Sequence, residues 1–314
     1  MAALISMEAM ASSEVDRQHS FRDPRDLTPF RGVRVFSPVR GLLSRAGQRG
    51  GAPKLRRFPS KPERAVFEAV FRDKEPERLV LLARSYPGWS GLCYVMAGLL
   101  AYRAHQHAQA AELIQRGFAG ENEQAASHFA ADYLEPWSLW IELSEGISVE
   151  ALFSEEAVCL ALAHSLREIG HPREALAALA QLPPSLPTSL AASRLAELLG
   201  RPGDVVLWTE GLTNRDDLAA ALLLLRARSL RSLGRRSDAH DAIREVTRRR
   251  RTSLPLRHAA MTERALLLMG VGRRSALRRA HDGGLRPGAK RAKDAEVREV
   301  WLRDFERLTG EHPD

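Results

Sequence analysis

The sequence predicts an all-α protein, a solenoid of helical hairpins with one inserted β-hairpin and a helix capping its C-terminal end. Three observations lead there. A five-position frame of small and apolar residues with glycine at its centre recurs along the chain. Helical spacing gives way once to a period of two. The 314 residues are 44% hydrophobic and 27% charged, enough for a sizeable core.

In chain order, residues 1–59 hold no sustained apolar period and are punctuated by Pro24, Pro29, Pro38, Pro53 and Pro59 and by Gly47, Gly50 and Gly51, which reads as a flexible basic N-terminal tail. Ser60 with Glu63 has capping-box spacing, and Val66, Ala69 and Val70 begin a helical pattern, so helical hairpins including the first repeat are expected over 60–138. Over 139–153, Leu139, Ile141 and Leu143 alternate with polar or exposed-type residues. After Glu145-Gly146 the alternation resumes through Ile147, Val149, Ala151 and Phe153, as in a β-hairpin. Ser154 before Glu155 and Glu156 is an N-cap with an acidic first turn. Repeats fill 154–282, a linker 283–293, and Val297, Val300, Trp301, Phe305 and Leu308 set a capping helix over 294–310.

The frame reads Ala163, Leu166, Gly170, Ala175, Leu179 and returns as Ala227, Leu230, Gly234, Ala239, Ile243, more loosely as Ser193, Ala196, Gly200, Val205, Thr209. An upstream copy is Gly98, Ala101, His105, Ala110, Ile114, and a degraded one is Ala265, Leu268, Gly272, Leu277, His281. Small residues let two helices approach, and the leucines fill the space beside them. Glycine ends a helix in the left-handed conformation, Pro172 and Pro202 suit the start of the next, and Glu174, Asp204 and Asp238 place a carboxylate against its positive end.

With a glycine spacing of 30, 34 and 38 residues, the region from about 91 to 282 resembles tetratricopeptide repeats, whose period is about 34. The aromatic positions of that family are mostly Leu or Ala here. The wider layout, with Leu27-Thr28-Pro29-Phe30-Arg31-Gly32, the hairpin before Ser154 and Thr213-Asn214-Arg215-Asp216-Asp217, resembles uncharacterised repeat proteins of high-GC bacteria, a likeness that brings no activity with it. The small share of lysine, five of 47 basic residues, fits the same bacterial origin.

The net charge of +8 hides an uneven distribution. Residues 1–66 carry 13 basic against 6 acidic residues, 67–225 carry 11 against 21, and 226–314 carry 23 against 12. Such fields act on partner choice rather than on fold. Cys93 and Cys159 are too few for a disulfide framework, and the first sixteen residues lack the basic start of a secretory signal, so a reducing, cytoplasmic setting is expected. No apolar stretch approaches the roughly 18 residues of a membrane span, and no membrane partner is expected.

Candidate chemistry is sparse. The segment GGLRPGAK at 283–290 lacks the Ser/Thr and the preceding strand of a phosphate-binding loop, and reads as linker. Gly88-Trp89-Ser90-Gly91 is one residue short of a nucleophile elbow and reads as a turn, with Ser90 capping the following helix. His105 and His107 have no third ligand nearby in sequence and read as solvated turn residues, and Cys159 reads as a buried structural thiol. The run Arg248 to Arg251 suits either a helix C-terminus or a phosphate backbone, without aromatic residues for stacking.

The tetratricopeptide resemblance implies a concave groove lined by the first helix of each hairpin, where a peptide binds. Carried onto this chain, that groove would present Leu99, Tyr102 and Arg103, then His164 and Arg167, then Arg194 and Glu197, then Arg228 and Arg231. The asparagines of a carboxylate clamp are missing from those helices, Asn122 and Asn214 lying elsewhere. The expectation is therefore a non-enzymatic scaffold, without cofactor or metal, for another protein or peptide of acidic character. The alternative is a nucleic-acid-associated protein using the basic C-terminal third.

Overall fold

The structure, a computed structural model, describes residues 34–36, 53–134, 137–144 and 146–269. Of these, 70% are helical, in twelve α-helices, and the all-α class with one β-hairpin holds. Among the described residues no helix is long and apolar enough to cross a membrane. The chain divides into two compact units, one extending to Leu199 and the other beginning at Gly200.

The first unit contains strand β1 (Arg34–Phe36), helices α1 (Lys61–Glu68), α2 (Pro76–Ser85), α3 (Ser90–Arg103), α4 (His107–Phe118) and α5 (Gln124–Phe129), strands β2 (Ser138–Ser144) and β3 (Ile147–Leu152), and helices α6 (Glu155–Glu168), α7 (Pro172–Leu179) and α8 (Leu186–Leu198). Helix α1 starts where the capping box places it, with Ser60 Oγ accepting from Glu63 N at 3.3 Å and the Glu63 carboxylate accepting from Ser60 N at 3.2 Å. That carboxylate is 4% exposed and also takes the Tyr133 hydroxyl at 3.0 Å and the Arg56 guanidinium. A buried carboxylate needs such partners.

Two stretches within the expected tail, residues 1–59, make contacts in the structure. Arg56 is anchored on Glu63, with its backbone N–H donating to Tyr133 Oη at 3.3 Å. Residues 34–36 form a strand antiparallel to β3, with Val35 opposite Val149, giving a three-stranded sheet in the order β1-β3-β2. The physical reason is that β3 has a second edge whose backbone groups need partners.

The hairpin itself follows the alternation. Leu139, Ile141, Leu143, Ile147, Val149 and Ala151 are buried, Gly146 takes φ +73° in the turn, and the register slips between Glu142 and Ser144. The buried face lies on α3, α6 and α8. Helix α3 packs on α4, α4 on α6, α6 on α7 and α7 on α8. At the α3–α4 crossing a Cβ on Gly117 would stand 2.8 Å from the Val95 backbone nitrogen, so only glycine permits the approach.

The frame of small residues has a backbone counterpart. His171 N donates to Leu166 O at 2.8 Å and Gly170 N to Arg167 O at 3.1 Å. In the second unit Arg235 N donates to Leu230 O at 2.8 Å and Gly234 N to Arg231 O at 3.0 Å. The upstream copy repeats the pattern, with Gln106 N donating to Ala101 O at 3.0 Å and His105 N to Tyr102 O at 2.9 Å. The residue that closes each helix is left-handed: φ is +59° at His105, +84° at Gly170, +69° at Gly200 and +76° at Gly234. His105 thus occupies the glycine slot and adopts the glycine conformation.

The second unit holds α9 (Pro202–Trp208), α10 (Asp217–Ser232), α11 (Arg236–Arg248) and α12 (Leu254–Met269). Helix α10 packs on α9, α11 and α12. Helices α7 and α9 begin at Pro172 and Pro202, and Glu174, Asp204 and Asp238 lie in first turns as expected. The linker 283–293, the capping helix 294–310, the segment 283–290 and the end of the last repeat fall outside the described residues.

A left-handed residue with a side chain costs about 1 kcal/mol over glycine. His105→Gly should therefore raise, and Gly170→Ala lower, the unfolding free energy by about 1 kcal/mol in urea titrations. Shifts in the opposite directions would show that the two turns are not equivalent.

Candidate functional site

Four of the sequence-nominated residues of the first unit gather around the hairpin. Tyr102 and Arg103 stand at the end of α3, and His164 and Arg167 one turn apart on α6. The Tyr102 hydroxyl lies 2.6 Å from His164 Nδ1 and also meets the Glu142 backbone of β2. Arg167 Nη1 donates to Leu143 O at 3.3 Å, while its Nε and Nη2 hold Glu168 Oε1 at 3.1 and 2.9 Å. The Arg103 guanidinium donates to Ser138 O and sits 4.1 Å from the Trp137 ring centroid. Three side chains from α3 and α6 thus bond to the main chain of β2, and Leu143 lies at the register slip.

Leu99, nominated beside them, is 1% exposed and belongs to the core. Helix α8 pairs Arg194 with Glu197 within one turn. In the second unit Arg228 Nε meets Glu263 Oε1 at 2.7 Å and Arg231 Nε meets Glu263 Oε2 at 3.2 Å. Glu263, on α12 and buried, had no signal in the sequence; it holds the Nε groups of both arginines.

His107 differs from expectation, whereas His105 is exposed in its turn. His107 opens α4 and packs against Tyr102 and His164, with ring centroids 5.7 and 5.2 Å away, so it is no solvated turn residue. His164 carries Tyr102 on Nδ1 and Glu168 Oε1 at 3.5 Å on Nε2. Burial, reinforced by Arg167, pushes its pKa down to about 4, and burial also lowers that of His107. A hydroxyl, imidazole and carboxylate in sequence resemble an acid–base relay. Here the hydroxyl end is closed, because Tyr102 is 5% exposed, its pKa is raised by burial, and its oxygen serves the β2 backbone. The chain of contacts is a clamp that keeps His164 neutral and the strand in place. Among the described residues no group of His, Cys, Asp and Glu could hold a metal ion.

Ser90 does not cap α3. It is the helix's first residue, and its Oγ accepts from Glu121 N at 3.1 Å, joining the start of α3 to the segment that follows α4. Burial raises the Cys93 thiol to about 12 and the Cys159 thiol to about 11, as for structural cysteines.

The motif Thr213 to Asp217 has a structural reading. Asp216 caps α10 through Ala219 N at 2.8 Å, and the Asn214 amide donates to the carbonyls of Glu245 and Val246 at 3.1 and 2.9 Å, closing the end of α11. Asp217 Oδ1 takes Arg249 Nη1 at 3.2 Å and Ser253 N at 3.3 Å. The arginine run is therefore divided: Arg249 is used within the fold, whereas Arg248, Arg250 and Arg251 are exposed. With this geometry established, comparison with known proteins finds no matching family model, no matching curated protein and no matching solved structure.

The clamp makes stability depend on pH. Because the folded pKa of His164 lies below the unfolded value of 6.5, its contribution is complete above pH 6.5 and is lost as pH falls through about 4. The loss should approach about 3 kcal/mol. Urea unfolding at neutral and acid pH should show wild type losing this much more than His164→Gln; an equal loss in both would assign the effect to other groups.

Proposed function

We propose that this chain is a non-enzymatic protein-interaction scaffold built of tetratricopeptide-like helical hairpins, working in a reducing, cytoplasmic setting. The observation that carries the reading is the recurrent turn. The same pair of backbone hydrogen bonds and the same left-handed residue close α3, α6 and α10, and the frame of small residues recurs with them. Repeated hairpins with one closing geometry serve to display side chains on a rigid surface.

The partner surface differs from a simple groove. With β2 lying on α3, α6 and α8, the contacts of Tyr102, Arg103, His164 and Arg167 are made within the fold. Recognition of an acidic segment then falls, in the second unit, to Arg228 and Arg231. These two give only their Nε groups to Glu263 and remain 37% and 39% exposed as side chains. Glu263 fixes the guanidinium planes, so a partner carboxylate meets donors that are already ordered.

The test is affinity capture with the intact protein, with and without nuclease, followed by binding of the identified partner to wild type and to Arg231→Gln. This variant leaves Glu263 held by Arg228. The expected outcome is a nuclease-resistant protein partner whose affinity falls several-fold in Arg231→Gln, with a salt-dependent Kd. A partner lost on nuclease treatment, or one indifferent to Arg231, would overturn the acidic-partner reading.

A further inference from the structure

We infer that the outward face of α11 and the residues just beyond it form a docking surface for the phosphate backbone of duplex nucleic acid, read without regard to sequence. Helix α11 buries Ala239, Ala242, Ile243 and Val246 on one side. On the rest of its surface Arg236, His240, Arg244 and Arg248 follow at steps of four residues, all exposed, and Arg251, beyond the helix end, is exposed too. Steps of four place side chains on one face about 6 Å apart along the axis.

The acidic residues of α11 are segregated from this row. Asp238, Asp241 and Glu245 recur at steps of three and four and fall on a neighbouring flank, where they line a cavity of about 270 Å³ with Thr209, Leu212 and Arg226. Asp238 is paired with Arg235 at 2.5 Å. Glu245 lies 3.4 Å from Arg248, whose side chain is 80% exposed, so screening leaves that pair weak. From 235 to 257 the chain has eight arginines against three carboxylates.

Three points choose the occupant. The exposed positions of the row and its surroundings, Arg236, Ser237, His240, Asp241, Arg244, Thr247 and Arg248, include no apolar side chain. A protein interface draws its affinity from buried aromatic and aliphatic anchors, which this face lacks, whereas a phosphate backbone needs only cations and hydroxyl donors. The row also lacks Phe, Tyr and Trp on which single-stranded bases would stack, which leaves the duplex as the form it suits. Finally, Arg249, the member of the arginine run that turns to Asp217, ties the segment beside the exposed Arg250 and Arg251 to the start of α10. This surface is separate from the Arg228 and Arg231 pair, and neither reading depends on the other.

The experiment is fluorescence anisotropy of the full-length protein with a short labelled DNA duplex of arbitrary sequence at several salt concentrations. Wild type should bind with log K falling linearly in log salt. The triple variant Arg244→Gln/Arg248→Gln/Arg251→Gln should flatten that slope by up to about 2.7, at roughly 0.9 for each phosphate that no longer meets a guanidinium. A control triple, Arg64→Gln/Arg84→Gln/Arg173→Gln, removes the same charge from exposed positions of the first unit and should leave the slope near that of wild type. No binding by wild type, an unchanged slope in the α11 variant, or equal flattening by both triples would overturn the inference. Thermal unfolding of each variant confirms that the comparison is between folded proteins.

Discussion

Among the described residues the hairpins α3–α4, α6–α7 and α10–α11 all close on one backbone conformation that L-residues with side chains avoid. Closing a helix and starting its neighbour within a few residues requires the chain to reverse while two terminal carbonyls still find donors, and a left-handed residue achieves both. At Gly170, Gly200 and Gly234 the requirement costs nothing sterically, since a Cβ there would meet open space but an unfavourable φ. At His105 the protein accepts the cost, and φ +59° shows that the turn, rather than the residue type, is what the fold imposes. From that reversal follow the pairing of α3 with α4, α6 with α7 and α10 with α11.

A second constraint is laid over the first. A β-hairpin placed on helices has no ladder partner along its free edge, and in the first unit the helices themselves supply the missing groups. Arg103, Tyr102 and Arg167 reach β2 at Ser138, Glu142 and Leu143, from one end of the strand to the other. The side chains that a tetratricopeptide likeness assigns to a peptide are thus engaged with a peptide, one that belongs to the same chain. Glu263 stands in the same relation to Arg228 and Arg231 in the second unit.

What the sequence showed well was whatever local backbone rules decide. The Ser60 and Ser154 caps, the alternation through Leu139 to Ala151 and the glycine-centred frame all depend on residues within a few positions of one another. What it hid was placement. That β2 would lie on α3, α6 and α8 is decided by packing across the unit, and no spacing in the sequence encodes it. The pairing of Arg249 with Asp217 joins positions 32 apart, so a run of four identical residues looked uniform although one has a different task. Glu168 was the exception that could have been found, four residues after His164 on the same helix face. The three-residue β1 had no periodicity to reveal it, being too short for alternation to register.

The guanidinium groups of Arg103 and Arg167 also decide what the protein does in a crowded solution. An open strand edge is a template on which other chains add, and the growth of such contacts ends in insoluble assemblies. By occupying carbonyls at both ends of β2 with charged side chains, α3 and α6 deny that template to strangers while burying the hairpin's apolar face. The hairpin can therefore be rich in Ile, Leu and Val without becoming a nucleus for aggregation.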